Sequence, residues 1–342
     1  MPIKNNVSLF ILIVFISYSC NDQSPTDLND SKKEYPFVRA GSDGINWEEL
    51  INFPTIIGQS AVRSIDITVD EIGNLYLTTT SDGLKIIDRA DTTVKTIYYN
   101  FPNSNNSPFH AILYSDGILI SGLTNLIDKA GIFISEDHGN TFQSRIIWDK
   151  YSIVNSLYEG LNGKIFAGCY YEIFISSDGG YTWENQTQSV QGEFVYFYSF
   201  AFNKFSDVYG ATRKGVYFCD VKKKNFYCVG LSNEVILSVA SNSKDWIYAT
   251  TENKSIYLST NSGLNWEQLI NYPSKQSYSL YINDNDYLIA GTEDGIYRST
   301  DYGNTWDQVG LGNKYIIKII SDLSGNLIAA TYMNEIYISQ NN

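Results

Sequence analysis

The sequence predicts an all-β chain: a seven-bladed β-propeller of four-stranded blades, closed by an N-terminal strand that completes the last blade. Three observations carry this. A short strand phrase recurs seven times with a period of about 40 residues, the mark of a repeat architecture. Tyr, Phe and Trp number 27, 17 and 6 while Pro stands at 7, a balance that favours strands over helices. The last repeat also stops half way, and its missing half lies near residue 45.

The bulk numbers bound the function. Of 342 residues, 43% are hydrophobic and 18% charged, so a large core can form and global disorder is excluded. The formal net charge is −13. A nucleic-acid binder needs a basic surplus to displace counterions, so DNA and RNA are not expected partners. Two His and four scattered Cys exclude a zinc-finger scaffold or a His-rich metal centre. No phosphate loop, HExxH, Gly-x-Ser-x-Gly or nicotinamide fingerprint occurs. No cofactor and no metal are expected.

Residues 1–19 are an address. Lys4 is followed by an apolar run from Val7 to Ile16, broken only by Ser8. That run is too short to span a bilayer and stay there; it has the form of a secretory leader. Ser19-Cys20 resembles the lipobox of bacterial lipoproteins, although Ser17 stands where an aliphatic residue is usual. The resemblance implies lipidation of Cys20 and anchoring in the bacterial envelope, at the outer membrane or in the periplasm; free secretion is the alternative. Residues 20–36 are polar and form a tether. The membrane is met only through the N-terminal lipid. The propeller occupies 37–342, and a monomer is expected.

The seven strand phrases are LYLTTT (75–80), ILISGL (118–123), KIFAGC (164–169), DVYGAT (207–212), WIYATT (246–251), YLIAGT (287–292) and NLIAAT (326–331). Before each lies an apolar run ending in Gly, Asn and Asp, which suit tight turns. After each comes a third run such as GIFIS or GIYRS. Four of these continue into one pattern: Ser135-x-Asp137-x-Gly139-x-Thr141-Phe142, Ser176-x-Asp178-x-Gly180-x-Thr182-Trp183, Ser259-x-Asn261-x-Gly263-x-Asn265-Trp266 and Ser299-x-Asp301-x-Gly303-x-Thr305-Trp306. The Asp or Asn side chain can accept from its own turn's N–H groups, and the Gly permits a positive φ. The motif reads as a hairpin staple, and its Asp as no catalytic acid.

This pattern resembles the Asp-box, or BNR, repeat. The superfamily of Asp-box propellers includes sialidases, xyloglucan-degrading hydrolases, sortilin-type receptors and photosystem II stability/assembly factors, and the repeat shape is most similar to the last. Fold is implied, activity is not. A sialidase would need three Arg to clamp a carboxylate. The six Arg are 39, 63, 89, 145, 213 and 298, and only Arg63 and Arg213 are placed for such a role. An Arg-Ile-Pro element is also missing, since Val38-Arg39-Ala40 stands in its place.

The ends complete one another. Ser339-x-Asn341 at the C-terminus and Gly44-x-Asn46-Trp47 near the N-terminus together spell the staple. The first strand of the domain is therefore expected to finish the last sheet, a closure that leaves no strand edge open at the joint.

Chain logic puts the staple turns and the turns between first and second strands on one face. Superfamily ligands bind the other, over the central channel. The residue before the small position of each innermost strand gives Arg63, His110, Asn155, Tyr198, Leu237, Tyr278 and Lys318. Arg63, His110, Asn155, Tyr198, Tyr278 and Lys318 read as a mouth for an anionic or sugar-like ligand, because Arg forks two bonds to a carboxylate and Tyr stacks on sugar faces. The other reading is packing between blades. Phe53, Tyr98, Tyr99, Phe101, Trp148, Tyr151, Tyr196 and Tyr272 add aromatic character to that face. Cys219 and Cys228 are candidates for a disulfide: a two-residue loop at 223–224 would set them opposite one another, whereas a staple-like register would leave them diagonal. The expected function is non-catalytic binding of a glycan or protein partner. A glycoside hydrolase using the same face is the alternative, and an assembly factor for an envelope complex the second.

Overall fold

The computed structural model of the chain describes residues 39–40, 46–53, 64–79, 83–97, 109–123, 130–148, 154–160, 163–169, 172–186, 195–205, 207–220 and 225–339. The residues expected to form a leader and a tether, Cys20 among them, lie outside the described residues, as do Arg63, Tyr98, Tyr99, Phe101 and Tyr151.

Two strands open the described chain, β1 (Arg39–Ala40) and β2 (Trp47–Asn52). Blade 1 follows as β3 (Ser64–Val69), β4 (Leu75–Thr79), β5 (Leu84–Ile87) and β6 (Val94–Ile97). Blade 2 is β7 (Phe109–Ser115), β8 (Ile118–Leu123), β9 (Ala130–Ser135) and β10 (Gln143–Trp148). Blade 3 is β11 (Val154–Glu159), β12 (Ile165–Cys169), β13 (Ile173–Ser176) and β14 (Glu184–Asn185). Blade 4 is β15 (Phe197–Phe202), β16 (Val208–Thr212), β17 (Gly215–Asp220) and β18 (Asn225–Gly230). Blade 5 is β19 (Ile236–Ser241), β20 (Ile247–Thr251), β21 (Ile256–Ser259) and β22 (Glu267–Gln268). Blade 6 is β23 (Ser277–Ile282), β24 (Leu288–Thr292), β25 (Gly295–Ser299) and β26 (Asp307–Gly310). Blade 7 is β27 (Ile316–Ser321), β28 (Leu327–Thr331) and β29 (Glu335–Ser339), and β2 supplies its fourth strand.

The closure is the one expected. Trp47 pairs with Ser339 and Glu48 with Ile338, antiparallel. One detail is added: β1 pairs with β2, so this sheet carries a fifth, two-residue strand at its outer edge. Trp47 is 1% exposed and packs with Val309, Leu311 and Ile316. A Cβ on Gly310 would fall 2.5 Å from the Trp47 ring, as one on Gly230 would from Trp266. Trp47 thus takes in blade 7 the place that Trp266 takes in blade 5.

The core is divided among the seven blade–blade interfaces, one apolar cluster at each, the interface of blade 7 with blade 1 included. Every described second strand is buried along its length in blades 1, 3, 4, 5, 6 and 7. This explains the small pair in each phrase. At Gly291 an added Cβ would come within 2.8 Å of Ile316 of the next blade, so the inner strands approach too closely there for a larger side chain. The Thr that often ends the phrase closes the next turn: Thr212 and Thr292 Oγ1 donate to the Gly215 and Gly295 carbonyls.

The staples form as their chemistry requires. Asp301 Oδ1 accepts from the Thr305 N–H at 2.8 Å and Oδ2 from the Thr305 hydroxyl at 2.7 Å, while Ser299 Oγ accepts from the Gly303 N–H. Asp137 and Asp178 repeat these bonds. Two successive positive φ angles turn the chain, Tyr302 at 63° and Gly303 at 94°. Hydrogen bonds from Thr305 hold the Asp301 carboxyl below the ordinary carboxylate range, against burial. A depressed folded pKa means that its contribution is present above about pH 4 and lost as pH falls through the folded value. We expect Asp301→Ala to cost about 2 kcal/mol, from the loss of two or three hydrogen bonds. Asp301→Asn should cost less, because Asn261 already accepts from Asn265 N–H at 2.9 Å in blade 5. Denaturant unfolding at pH 7 and pH 3 checks both: the Asn variant should show the weaker acid loss.

In blade 4 the staple is degenerate, but its register persists. Cys219 faces Phe226 and Cys228 faces Tyr217, so the two cysteines are diagonal and are not bridged. The disulfide geometry is thereby corrected to the staple-like alternative. Cys169 is buried in β12.

Candidate functional site

The innermost strands decide what reaches the channel. Each carries a register shift at the same place: Ser64/Asp66, Phe109/Ala111, Val154/Ser156, Phe197/Ser199, Ile236/Ser238, Ser277/Ser279 and Ile316/Lys318. A bulge leaves the skipped residue outside the ladder and re-aims it. The skipped residues are Ile65, His110, Asn155, Tyr198, Leu237, Tyr278 and Ile317. Five of the seven sequence-chosen positions are therefore bulge residues. In blades 1 and 7 the bulge falls on Ile65 and Ile317, the latter one residue before the chosen Lys318. No sequence periodicity marks a bulge, since the extra residue shifts the alternation by one.

The next residue of each strand builds a second ring: Asp66, Ala111, Ser156, Ser199, Ser238, Ser279 and Lys318. Its Ser members stitch neighbouring blades. Ser199 Oγ accepts from Val239 N–H at 2.9 Å, Ser238 Oγ from Leu280 N–H at 3.2 Å, and Ser279 Oγ from Ile319 N–H at 3.0 Å. In blade 1, Asp66 Oδ2 does the same for Ile112 N–H at 3.1 Å. Lys318 has no acceptor to offer blade 1. There Asp66 Oδ1 accepts from its own neighbour, the Ile67 N–H, at 3.0 Å.

Lys318 pairs with the residue that takes over its task. Its Nζ lies 3.1 Å from Asp66 Oδ1 and donates to Tyr158 Oη at 3.3 Å. Blades 7 and 3 are not neighbours, so Lys318 and Tyr158 meet across the channel. Burial works against the ammonium, but the Asp66 carboxylate and Tyr158 outweigh it and hold the Lys318 pKa above the lysine range. Lys318 is thus a neutralised seam residue and not an open cation awaiting an anionic ligand.

The other candidates separate. Tyr198 is half-buried and packs on Tyr196 with ring centroids 4.8 Å apart. Asn155 is half-buried and its Nδ2 has no hydrogen-bond partner. The backbone of His110 lies in β7. Tyr272 is core, 5% exposed, and donates to the Lys275 carbonyl. Arg89 pairs with Asp322 and Arg298 sits in β25, so neither joins a carboxylate clamp.

Tyr278 belongs to an aromatic cluster only partly legible in the sequence. Its ring stacks on Tyr315, centroids 4.5 Å apart and planes at 24°, and Tyr315 packs on Tyr332 at 5.1 Å. Repeat position explains the meeting. Tyr315 precedes the inner strand of blade 7, as Gln276 does in blade 6 and Val235 in blade 5. Tyr332 follows the Thr that ends the second strand, as Glu293 and Glu252 do. The N–H of each latter residue donates to the carbonyl of the former in its own blade. The Tyr278 hydroxyl donates to Gln276 Oε1 at 2.8 Å. The signal that finds these residues is the position after the phrase-ending Thr, read in all repeats at once. Around the cluster, Glu293 pairs with Lys254 at 2.6 Å and Asp294 with Lys275 at 2.7 Å. The opposite end carries the staple turns, as Lys244 shows by resting over the Tyr302 ring at 3.8 Å. Among the described residues, no three His, Cys, Asp or Glu gather where they could hold a metal ion.

With this geometry in view, residues 229–342 match the family model described as the DUF6242 beta propeller domain. The extracellular domain of the putative one component system BT4673 from B. thetaiotaomicron is similar at TM-score 0.66 and 17% identity, over 84% of this chain and 39% of that one. The structure of YCF48 bound to D1 peptide is similar at 0.68 and 15%, over 86% and 97%. Virginiamycin B lyase from Staphylococcus aureus is similar at 0.67 and 14%, over 86% and 99%. The Mus musculus calpain-1 catalytic subunit is 29% identical over 146 residues, and the chain spans only 20% of its length. At such identities the likeness to the solved structures is one of fold, and that fold is the seven-bladed β-propeller.

Proposed function

We propose that this propeller is a non-catalytic binding module that takes a protein segment on the face opposite the staple turns, anchored at the rim of blades 6 and 7. The observation that carries the reading is the half-buried Tyr278–Tyr315–Tyr332 stack. Tyr supplies large, rigid contact area at low entropic cost and is enriched where proteins bind. The channel mouth supports the same reading, because its one sequence-chosen lysine is already neutralised by Asp66. The likeness to YCF48, seen with a peptide, adds a precedent for the fold. The resemblance of the staples to Asp-boxes sets the chain beside propellers that recognise ligands on this face, and the assembly-factor role is one form of the same activity.

Tyr315→Ala and Tyr278→Ala should each weaken peptide binding tenfold or more, about 1.4 kcal/mol, while Tyr315→Phe retains most of it. Parallel peptide and glycan arrays probed with wild type and these variants provide the measurement. Retention on glycans alone, lost with the same variants, would make the partner a carbohydrate; retention of peptides by all variants would move the site elsewhere.

The Ser19-Cys20 leader supports an extracytoplasmic, lipid-anchored location. Labelling of growing bacteria with an alkyne fatty acid should mark the wild-type chain and not Cys20→Ser. Equal labelling of both would remove the anchor.

A further inference from the structure

We infer that the rim between blades 5 and 7 recognises a cationic side chain, an arginine or lysine of the bound protein segment, held over the tyrosine stack beside the Glu252 carboxylate. This rests on the preceding reading of the face and specifies the chemistry of what docks there. Three observations converge.

The first is the stack itself. Three tyrosines come together from two blades, and each keeps part of its surface in solvent. Aromatic faces carry negative quadrupole charge and attract guanidinium and ammonium groups within about 6 Å. The protein already uses that attraction elsewhere, with Lys244 over Tyr302 and Trp246, and Arg145 over the Tyr181 ring at 5.0 Å.

The second is an imbalance of charge. Glu252 and Glu293 occupy equivalent turns of blades 5 and 6, and both act on the Tyr278 hydroxyl, whose pKa is raised chiefly by burial and further by these carboxylates. Glu293 has a cation in Lys254, and Asp294 has one in Lys275. Among the described residues no cation pairs with Glu252, which is half-buried. The turn after the phrase-ending Thr thus carries one unspent negative charge beside the stack.

The third is the Tyr278 hydroxyl. It donates to Gln276 Oε1 at 2.8 Å. Its proton is committed within blade 6, so Tyr278 offers a docking group ring surface and oxygen lone pairs. That is a surface for a donor, and a cation is the strongest donor a peptide has. A chain of net charge −13 also favours approach by a basic partner.

Fluorescence anisotropy of the full chain with labelled Gly/Ser peptides carrying three spaced arginines, lysines, citrullines or glutamates tests this. The arginine and lysine peptides should bind, weakening as salt rises, and the citrulline and glutamate peptides should bind at least tenfold more weakly. Glu252→Gln and Tyr315→Leu should each lower arginine-peptide affinity at least fivefold, with thermal unfolding used to show that both variants stay folded. Equal affinity of arginine and citrulline peptides, both lost in Tyr315→Leu, would overturn the cation specificity and leave the docking face standing. Undiminished arginine-peptide binding by both variants would overturn the site itself. Selective binding of the glutamate peptide would reverse the sign and refute the inference.

Discussion

Trp47→Ala should lower the unfolding free energy by about 4 kcal/mol, the range for removing a large aromatic side chain from a packed interior. Trp47 is fully buried, and it joins two ends of the chain. The same change at Trp183 or Trp306, which are half-buried, should cost about half as much. The comparison isolates the joint, because all three residues end the same motif. Trp47→Phe should be milder still. The Trp47 Nε1 is buried without an acceptor, whereas Trp183 and Trp306 donate to Gly180 and Gly303, so Phe removes an unsatisfied donor along with the lost area. Equilibrium urea unfolding, followed by Trp fluorescence or far-UV circular dichroism, gives the order. An equal loss at Trp47 and Trp306 would show that the joint adds nothing beyond local packing.

Lys318→Met should cost about 3 kcal/mol, since breaking a buried pair leaves an uncompensated charge. Asp66, 7% exposed, would lose the ammonium that faces it at 3.1 Å. The double change Asp66→Ser with Lys318→Ser should recover most of the loss. It would place in blades 7 and 1 the Ser that already bridges blades 4 to 5, 5 to 6 and 6 to 7. A double-mutant cycle at neutral pH measures the coupling; a double variant no better than Lys318→Met would mean that the pair does not hold the seam. The pH dependence has a definite sign. The Lys318 pKa is raised on folding, so its contribution is full below lysine's ordinary value of about 10.4 and is lost only as pH climbs through the folded value. Scans from pH 7 to pH 10 should show no loss from this group.

The repeat was legible because its chemistry is local. A staple is closed by residues within eight positions of one another, so Asp301, Thr305 and Gly303 predict their own turn. The same locality betrayed the joint: half a staple at Ser339 and half at Trp47 demanded each other. The register of Cys219 and Cys228 was open in the sequence and was closed by pairing across β17 and β18, where Cys219 met Phe226. The bulges leave no compositional trace of their own: taking the residue before the small position met five of them and missed those at Ile65 and Ile317. Lys318 was consequently read one position out of register in the candidate site.

The amino-acid sequence by itself determined the number of blades, the turns that end their strands and the way the ring closes, because each follows from short-range hydrogen bonding and from the period of apolar runs. Only the tertiary structure decided which side chains meet at the channel and its rim. Lys318 finds Asp66 and Tyr158, and Tyr278 finds Tyr315 and Tyr332, across separations of tens to hundreds of residues. Those encounters depend on how inner strands bulge and how adjacent blades abut, and no local rule of spacing encodes either.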